Sequence, residues 1–581
     1  MPETEVKQAK SGSFDRTNWG SAVEFNLACI GYAVGLGNIW RFPFQTFKNG
    51  GGTFLIPYTI ALFIAGLPVF YLELALGQFT SLGPNCLFGK LAPAMSGLGW
   101  GMLVVSFLKG IYYNMIIAWV VFYFFASFTD NLPWSSCLNS FWGFEYKWYC
   151  YSHLDAQRCE EALGSEGVFF NKSCWNASSI SPAMHSLINS THFDTPAEEF
   201  FEDYVLNKSD GFGELGGVQW KLALCLLFAW SLVFAALIKG VKSVGKVVYF
   251  TALFPYVLLT VLLIRGCTLP HAMDGIHFYI GQANWTRLAT MDPWRDAAVQ
   301  VFYSLGNGFG GLIALSSYSQ FRNDCFRDTI IIASTNCLTS IYAGFAIFSV
   351  TGFMAFELGK PVSEVVRDGT GLAFIAYPEA ISYMAGSTAW ALLFFFALLI
   401  LGLDTMMGIT ETITTAFLDQ WPPLRAFRIT VTAAIVCVSY LLGLILCTRG
   451  GIFIFTLLND YAADCLILLA FFEIVTVAHI YGIENFWKDI EMMIGRSSTL
   501  FGRYFGRTGF YWKYSLQIWS PVFLLAMYVV MCVFYSGSKF GAYEFPLAAN
   551  AAGWVLALSS LLMIPIFAVA LRLKHWHKPW R

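Results

Sequence analysis

Residues 31–43 read Gly-Tyr-Ala-Val-Gly-Leu-Gly-Asn-Ile-Trp-Arg-Phe-Pro, and Asn49-Gly-Gly-Gly52 follows them closely. This stretch belongs to an apolar segment near residues 25–47 that is long enough to cross a bilayer. Three of its residues, Gly31, Gly35 and Gly37, are glycines, each of which lowers helix stability by about 1 kcal/mol relative to alanine. We therefore expect a spanning helix that is interrupted near its middle.

A second glycine cluster lies in the sixth apolar segment, five segments after the first cluster. Its members are Gly306, Gly308, Gly310 and Gly311. Interrupted helices at corresponding positions of two halves are typical of transporters built from inverted repeats, whose binding site lies between them near the bilayer midplane. The alternative is that the glycines only allow close helix packing. The spacing of the two clusters favours two repeats of five helices.

The composition is that of a membrane protein. Of 581 residues, 57% are hydrophobic and 12% are charged, whereas soluble domains carry roughly 25% charged residues. We predict an all-α integral membrane protein with about twelve transmembrane helices, a 5+5 inverted repeat and unwound first and sixth helices. The predicted spans lie near residues 25–47, 53–80, 97–129, 219–238, 245–265, 295–320, 328–356, 387–419, 426–447, 450–481, 514–535 and 549–573.

Lysine and arginine near the span ends set the predicted orientation, because cytoplasmic loops are enriched in them. They cluster before the first span, after the fourth, sixth, eighth and tenth spans, and after the last span. The polar N-terminus lacks the apolar core of a cleavable signal, so the first span is expected to direct insertion. We expect both termini in the cytoplasm, with an N-terminal segment 1–24, a transmembrane transporter domain 25–573 and a tail 574–581.

A long polar loop over residues 130–218 separates the third and fourth spans. It carries four cysteines and four possible glycosylation triplets, which begin at Asn171, Asn176, Asn189 and Asn207. Cysteines and glycosylation triplets in one insertion indicate an extracellular or lumenal loop. We expect a disulfide between Cys137 and Cys150, although sequence alone leaves the other pairings open.

The stretch at residues 31–43 closely resembles the first-helix signature of the neurotransmitter:sodium symporter family, of the solute carrier 6 type. Further matching motifs follow in order over roughly residues 16–575: Glu73-Leu-Ala-Leu-Gly-Gln78, Tyr112-Tyr113-Asn114, Gln300 to Gly310, Asn336 and Leu401-Gly-Leu-Asp-Thr405. The resemblance is strongest to the amino-acid-carrying branch. It implies a plasma-membrane symporter that carries an amino acid together with sodium and chloride by alternating access.

The resemblance also implies two sodium sites. Sodium is a hard cation that prefers oxygen ligands, and carbonyl groups of an unwound helix need a partner within a membrane. The first site would use Ala33, Asn38, Ser304 and Asn336, and the second would use Gly31, Val34, Leu401, Asp404 and Thr405. Asp404 is a candidate without the resemblance as well, because a carboxylate in an apolar helix is costly unless it has a partner.

The chloride ligands implied by the resemblance are hydroxyl and amide groups, at Tyr58, Gln300, Ser304 and Ser340. Chloride-independent relatives tend to carry a fixed carboxylate near the position of Ser340, where this chain is neutral. A mobile anion would then balance the charges of the two sodium ions. The alternative is that these groups form hydrogen bonds between helices.

The substrate site implied by the resemblance contains Gly35, where amine-carrying relatives have an aspartate. The substrate carboxylate would meet the first sodium, the N–H groups near Leu36 and Gly37, which lie at a positive helix end, and the Tyr113 hydroxyl. An α-amino acid therefore fits better than a monoamine, although γ-amino acids remain open. The remaining implied substrate residues are Ala33, Tyr303, Ser304, Gly306, which would leave room for the substrate, Phe309 and Thr405.

Lys109 departs from the family pattern, because this pocket-wall position is usually apolar. It lies four residues before Tyr113, so both side chains share one helix face. Asn307 likewise stands where an apolar residue or a proline is common. One hypothesis is that Lys109 repels cationic substrates and attracts a polar or acidic side chain. The alternative is an ammonium group that pairs with a carboxylate or reaches a wet cavity.

Two gates follow from the resemblance. Arg41 would close the outer side with Asp460, aided by Tyr113 and Tyr303. On the inner side, Arg16 and Trp19 would form a latch with Asp419. Exposed ion pairs contribute only about 0–1 kcal/mol, which suits contacts that break in every transport cycle.

Other classes of function fit the sequence less well. A channel would not need broken helices beside gating residues, and the eight histidines form no ligand-spaced pair in a span, so we expect no enzyme. A non-transporting receptor would be expected to lose its sodium ligands, and no basic patch points to nucleic acid. The alternative within transporters is a sodium- and chloride-coupled carrier of a γ-amino acid or of an osmolyte such as betaine or taurine.

Overall fold

The computed structural model describes residues 18–164, 167–181, 186, 193–365, 371–497, 499–541 and 543–574. The predicted gate residue Arg16 and the predicted glycosylation residue Asn189 lie outside these ranges. Most of the predicted N-terminal segment and cytoplasmic tail lie outside them as well.

The described chain is an all-α membrane bundle, as predicted. Ten of its helices are long and apolar enough to cross a membrane, and a bent helix pair makes an eleventh span. The interrupted segment Asp292–Ser316 corresponds to the remaining predicted span. In chain order the helices that form these spans are α1 Ala22–Ala33, α2 Leu36–Lys48, α3 Gly51–Thr80, α4 Pro93–Ala126, α5 Trp220–Leu237, α6 Val241–Cys267, α7 Asp292–Leu305, α8 Gly311–Ser316, α9 Cys325–Glu357, α10 Ser387–Gln420, α11 Pro422–Cys447, α12 Gly451–Ile494, α13 Leu500–Val533 and α14 Leu547–Lys574.

The first span is broken where the sequence predicts it. Helix α1 begins after Ser21, whose side chain accepts a hydrogen bond from the backbone N–H of Glu24 and so caps the helix. It ends at Ala33, and both Val34 and Gly35 have extended backbone. Helix α2 then continues at an angle of 61° to α1.

The sixth span is broken by its glycine cluster. Helix α7 ends at Gly306 and α8 begins after Gly310. Gly306, Gly308 and Gly310 have φ angles of 76°, 79° and 74°, a left-handed conformation that residues with a Cβ rarely adopt. Glycine at these three positions therefore allows the helix to stop and restart within the membrane.

The burial of the helices divides the bundle into a core and a periphery. Helices α3, α4 and α10 are mostly buried within the protein, whereas α11, α13 and α14 are mostly exposed. The exposed helices are strongly apolar, so their outer faces are suited to lipid. The two broken spans pack against α3, α4, α9 and α10, which places both breaks in the interior of the bundle.

The tenth predicted span, 450–481, agrees with the observed helix up to Gly482, where a φ of 97° interrupts it. The segment that follows directly, Ile483–Ile494, is amphipathic and buries one face that includes Phe486, Trp487 and Ile490. The eleventh predicted span, 514–535, is similarly preceded by a short helix, Leu500–Phe505, which residues 506–509 separate from the helix that begins at Phe510. Hydropathy alone misses such helical extensions, since their polar faces end the apolar run.

The loop over residues 130–218 has a small structure of its own. It contains two antiparallel hairpins, formed by strands Ser140–Phe141 and Phe144–Glu145 and by strands Gly167–Phe170 and Ser173–Asn176. The expected disulfide between Cys137 and Cys150 is present. A second disulfide joins Cys159 to Cys174, a pairing that the sequence leaves open. Of the described glycosylation candidates, Asn171 and Asn207 are exposed and Asn176 is partly exposed.

Candidate ion and substrate site

A cluster of amide and hydroxyl groups joins α2, α7 and α9. Nδ2 of Asn38 donates to Oδ1 of Asn336 at 2.8 Å and to Oγ of Ser340 at 2.8 Å. Oγ of Ser304 lies 3.3 Å from the same nitrogen and accepts a hydrogen bond of 2.9 Å from Nδ2 of Asn336. The cluster brings together three predicted residues of the first sodium site. Ala33, the fourth, is buried at the end of α1.

Several buried oxygen atoms converge in this cluster. Four of them, including the backbone carbonyl of Asn336, lie within 3.4 Å of the Asn38 NH₂ group. That group has only two hydrogens to donate, and the Asn336 amide and the Ser340 hydroxyl donate to oxygens of the same cluster. Oxygen atoms gathered in this way are the ligands that a hard cation prefers.

A buried carboxylate lies against the broken end of α1. Neither oxygen of Asp404 has a hydrogen-bond partner of standard geometry among the described residues, although the hydroxyl of Thr251 lies near the carboxylate. A Cβ atom on Gly31 would lie 2.6 Å from Oδ2 of Asp404, and Oγ1 of Thr405 lies 3.4 Å from the carbonyl oxygen of Gly31. Because an unpartnered buried carboxylate is costly, this arrangement fits the predicted second sodium site. Val34 and Leu401, the remaining predicted ligands, are both buried nearby on α1 and α10.

The predicted chloride residues are only partly brought together by hydrogen bonds. Ser304 and Ser340 both contact the Asn38 amide. Gln300 is buried, and its amide nitrogen and oxygen have no partner among the described residues. Tyr58 is also buried, and its hydroxyl lies 3.5 Å from Sγ of Cys337. The free amide of Gln300 supplies a donor that an anion could use.

The break in the first span meets α4 and α10 at the predicted substrate carboxylate position. The backbone N–H of Leu36 donates a 3.0 Å hydrogen bond to the hydroxyl of Tyr113. A Cβ atom on Gly35 would lie 2.6 Å from that hydroxyl and 2.6 Å from Oγ1 of Thr405. A Cβ atom on Gly37 would lie 3.4 Å from the ring of Tyr303. Glycine at position 35 therefore allows a close approach of the backbone to two hydroxyl groups.

The room left by the missing side chain of Gly306 lies toward Tyr32, and space for the substrate there stays a prediction. A Cβ atom on Gly306 would lie 2.6 Å from the ring of Tyr32, and one on Gly311 would lie 2.3 Å from the Tyr32 hydroxyl. The space beside Gly306 is thus filled by an aromatic ring of α1. Sequence analysis did not identify Tyr32, whose ring packs into the break of the sixth span.

The expected wall of the side-chain pocket is aromatic, with a cation beside it. The rings of Tyr303 and Phe309 lie with their centroids 6.3 Å apart. Nζ of Lys109 lies 4.4 Å from the Tyr303 ring centroid and 4.0 Å from that of Phe309. Asn307 points elsewhere, because its Nδ2 donates to the carbonyl of Gly66 at 2.9 Å.

Glu73 also lies at the site, although the sequence motif that contains it does not indicate its contact with the sixth span. Its Oε1 accepts a 2.7 Å hydrogen bond from the backbone N–H of Gly308, within the break of the sixth span. Glu473 is buried as well, and both of its oxygens have no partner among the described residues. The rule that singled out Asp404, a carboxylate in an apolar span, applies equally to these two residues.

An outer cavity of about 400 Å³ lies above the pocket and is lined by Tyr113, Tyr303, Arg41 and Asp460 among others. The guanidinium of Arg41 lies 4.3 Å from the ring centroid of Tyr303. Arg41 and Asp460 line the same cavity, and the ion pair between them stays a prediction.

The inner side is packed. Nε1 of Trp19 donates to the carbonyl of Leu315 at 2.9 Å, and its backbone N–H donates to the carbonyl of Tyr318 at 3.1 Å. Asp419 accepts a 2.7 Å hydrogen bond from the backbone N–H of Gly83 and pairs with Arg425 at 3.0 Å. The cavity thus lies beside residues of the loop 130–218, whereas the side of the bundle that contains Trp19 and Asp419 is packed.

A family model matches residues 16–575, nearly the whole chain, and its description reads "Sodium:neurotransmitter symporter family". The chain belongs to this family. The broken spans and the oxygen-rich clusters beside them are therefore features of a symporter fold, and the sequence motifs that suggested the family are confirmed by the match.

Curated relatives of this symporter are similar over nearly their whole length. The chain is 44% identical over 562 residues to the human "Sodium- and chloride-dependent neutral and basic amino acid transporter B(0+)", a match that covers 96% of this chain and 85% of that protein. The mouse protein of the same name is 44% identical over 558 residues, with the same coverage. The "Sodium- and chloride-dependent glycine transporter 1" of Xenopus laevis is 41% identical over 568 residues. The relatives are named as transporters rather than as enzymes.

Proposed function

We propose that this protein is a sodium- and chloride-coupled symporter that carries amino acids across the plasma membrane by alternating access. The observation that carries the proposal is the unpartnered carboxylate of Asp404 beside the carbonyl end of α1. A cation supplies the missing partner, and sodium suits an all-oxygen environment. The relatives, named as sodium- and chloride-dependent amino acid transporters, support the same reading.

The two proposed sodium sites differ in charge. The second contains one carboxylate, Asp404, whereas the side chains of the first are neutral amides and a hydroxyl. The substrate carboxylate completes the first site, since Gly35 leaves its approach open. Chloride at Gln300 and Ser340 offsets the remaining positive charge, because neither position carries a carboxylate. Binding of each ion is thereby coupled electrostatically to binding of the substrate.

Transport then follows from the two gates. Sodium bound between α1 and α10 stabilises the outward-facing arrangement, and substrate below Tyr303 allows this ring and Arg41 to close the outer cavity. Opening of the inner side requires Trp19 and Asp419 to release their present partners. We propose that both termini are cytoplasmic and that Asn171, Asn176, Asn189 and Asn207 are glycosylated on the outer side.

The test is electrophysiology on oocytes that express the full chain. Amino acids are applied in sodium chloride, and then with sodium or chloride replaced. We expect an inward current for α-amino acids that disappears without sodium and falls strongly without chloride. A current with only γ-amino acids, betaine or taurine would assign the protein to the alternative branch. Absence of both current and radiolabelled uptake, with the protein at the cell surface, would contradict the proposal.

A further inference from the structure

Lys109 places a cation in the interior of the pocket. The residue is only 3% exposed, and its Nζ lies close to the rings of Tyr303 and Phe309. Ser106, three residues earlier on α4, donates a 2.7 Å hydrogen bond to the carbonyl of Phe309. This bond ties the broken sixth span to α4, so the aromatic wall is held beside the ammonium group.

The ammonium group has no counter-ion in the described part of the chain. None of the ion pairs there includes Lys109. The residue does not line the outer cavity either. The other cation at Tyr303 is Arg41, whose charge has the same sign.

Aromatic rings compensate such a charge only in part. The attraction of a cation to an aromatic ring is weaker than the cost of burying a charge without a partner. An anionic group that arrives beside Nζ would therefore be bound strongly, and a second cation would be repelled. The described part of the pocket thus contains no anion that pairs with the ammonium group of Lys109, and a ligand can supply one.

The position of Lys109 on α4 shows which part of a substrate would reach it. Tyr113 lies one turn further along the same face, about 6 Å along the helix axis, and contacts the backbone N–H of Leu36. A substrate whose α-carboxylate binds at Tyr113 and Leu36 would direct its side chain toward Phe309 and Lys109. The ammonium group thus faces the side chain of the substrate.

We infer that Lys109 selects amino acids whose side chain ends in an anionic acceptor, such as a carboxylate, and excludes those with a cationic side chain. This inference rests on the proposed function and names its substrate class. The human relative is named as a carrier of neutral and basic amino acids. The substrate selectivity inferred here would thus differ from the selectivity that the name of the human relative states.

The first test uses the unmodified full chain in oocytes or cultured cells. Uptake of labelled L-alanine serves as the reference, and L-aspartate, L-glutamate, L-glutamine and L-lysine are the competitors. We expect the better acidic competitor to inhibit at least tenfold more strongly than L-lysine, with L-glutamine between them. Inhibition by L-lysine equal to that by the acidic amino acids would overturn the inference, while alanine uptake would still support the symporter.

The second test replaces Lys109 with methionine, which has a similar length and no charge. Lys109→Met should weaken inhibition by the acidic amino acids at least tenfold relative to inhibition by L-glutamine, and it should strengthen inhibition by L-lysine. Lys109→Arg should retain the preference for acids, and Lys90→Met, at an exposed site, is the matched control. An unchanged acid-to-lysine ratio in Lys109→Met at the cell surface would overturn the inference. If both variants fail to reach the surface, the competition profile of the unmodified chain still decides.

Discussion

The side-chain amide of Asn38 donates a 2.8 Å hydrogen bond to Oδ1 of Asn336. This bond connects the broken first span to α9, at a point where both residues are almost fully buried. Because Ser304 and Ser340 contact the same amide, one group links three spans. Conformational changes in any of the three are therefore transmitted to the proposed first sodium site.

Replacing Asn336 with alanine removes one acceptor and one donor from this cluster. We expect Asn336→Ala to lower sodium-dependent uptake at least tenfold and to raise the half-saturating sodium concentration. Uptake over a sodium series, normalised to surface protein, is the measurement. The control is Asn485→Ala, because the exposed Asn485 amide bonds only a neighbouring carbonyl. Uptake within twofold of the unmodified protein would contradict a role of this cluster in sodium binding.

Asp404→Asn should have two opposite effects on stability. Without sodium, the variant should melt at a higher temperature in detergent, because a buried carboxylate without a partner has been neutralised. The stabilisation by sodium should at the same time fall by at least half, since a bound ligand contributes RT ln(1 + [L]/Kd). Thermal melting in sodium and in a large organic cation measures both effects. Asp130→Asn, at an exposed outer position, should change neither, and an unchanged sodium shift in Asp404→Asn would argue against the second site.

Gly35→Ala tests the close approach at the break. The added Cβ would lie 2.6 Å from the hydroxyl of Tyr113 and from Oγ1 of Thr405, so the break must shift to accept it. We expect surface expression to persist and substrate affinity to fall at least tenfold in uptake assays. Gly89→Ala is the control, because its Cβ would meet only an ordinary contact of 3.6 Å. Equal affinity in both variants would show that position 35 is not part of the substrate site.

The outer loop should respond to pH through Glu199. Burial raises the pKa of Glu199 from its ordinary value of 4.5 to about 7, although the backbone N–H of Lys147 donates a 2.8 Å hydrogen bond to it. A raised carboxyl pKa means that the protonated form stabilises the fold, so this contribution is complete below about 4.5 and is lost as the pH rises through about 7.

The measurement for Glu199 is the melting temperature of the purified protein between pH 5.5 and 8.5. Stability should fall with rising pH by at most about 1.4 kcal/mol per pH unit, and Glu199→Gln should flatten the curve. Glu202→Gln, on the same loop segment, is the matched control and should keep the slope. A slope that Glu199→Gln does not alter would assign the pH response to another group.

Much of the fold follows from the sequence because lipid imposes simple rules. A spanning helix must be apolar and about 20 residues long, so hydropathy locates the spans, and glycine clusters locate both breaks. Helical extensions such as Ile483–Ile494 are amphipathic and leave no such signal. The Cys159–Cys174 pairing depends on how the hairpin Gly167–Asn176 folds back, which local sequence does not encode.

The sequence predicts which residues belong to the candidate site better than it predicts the contacts between them. The motifs identify Asn38, Ser304 and Asn336, which do converge. They do not predict that Tyr32 fills the space beside Gly306, because the packing of one ring depends on the relative rotation of two helices. A gate contact such as the one expected between Arg41 and Asp460 is harder to predict for a different reason. A gate has two arrangements, and a sequence motif does not say which one is present.

The contact of Trp19 with the end of α8 links the opening of this side of the bundle to the uptake of water. The inner path cannot open until the indole and the backbone N–H of Trp19 leave the carbonyl groups of Leu315 and Tyr318, two residues that are nearly fully buried. Buried carbonyl groups that lose a donor need another one, and water is the only abundant donor at the cytoplasmic surface. Opening of this side of the bundle therefore takes up water, so osmotic stress on this side favours the arrangement described here and slows the opening step.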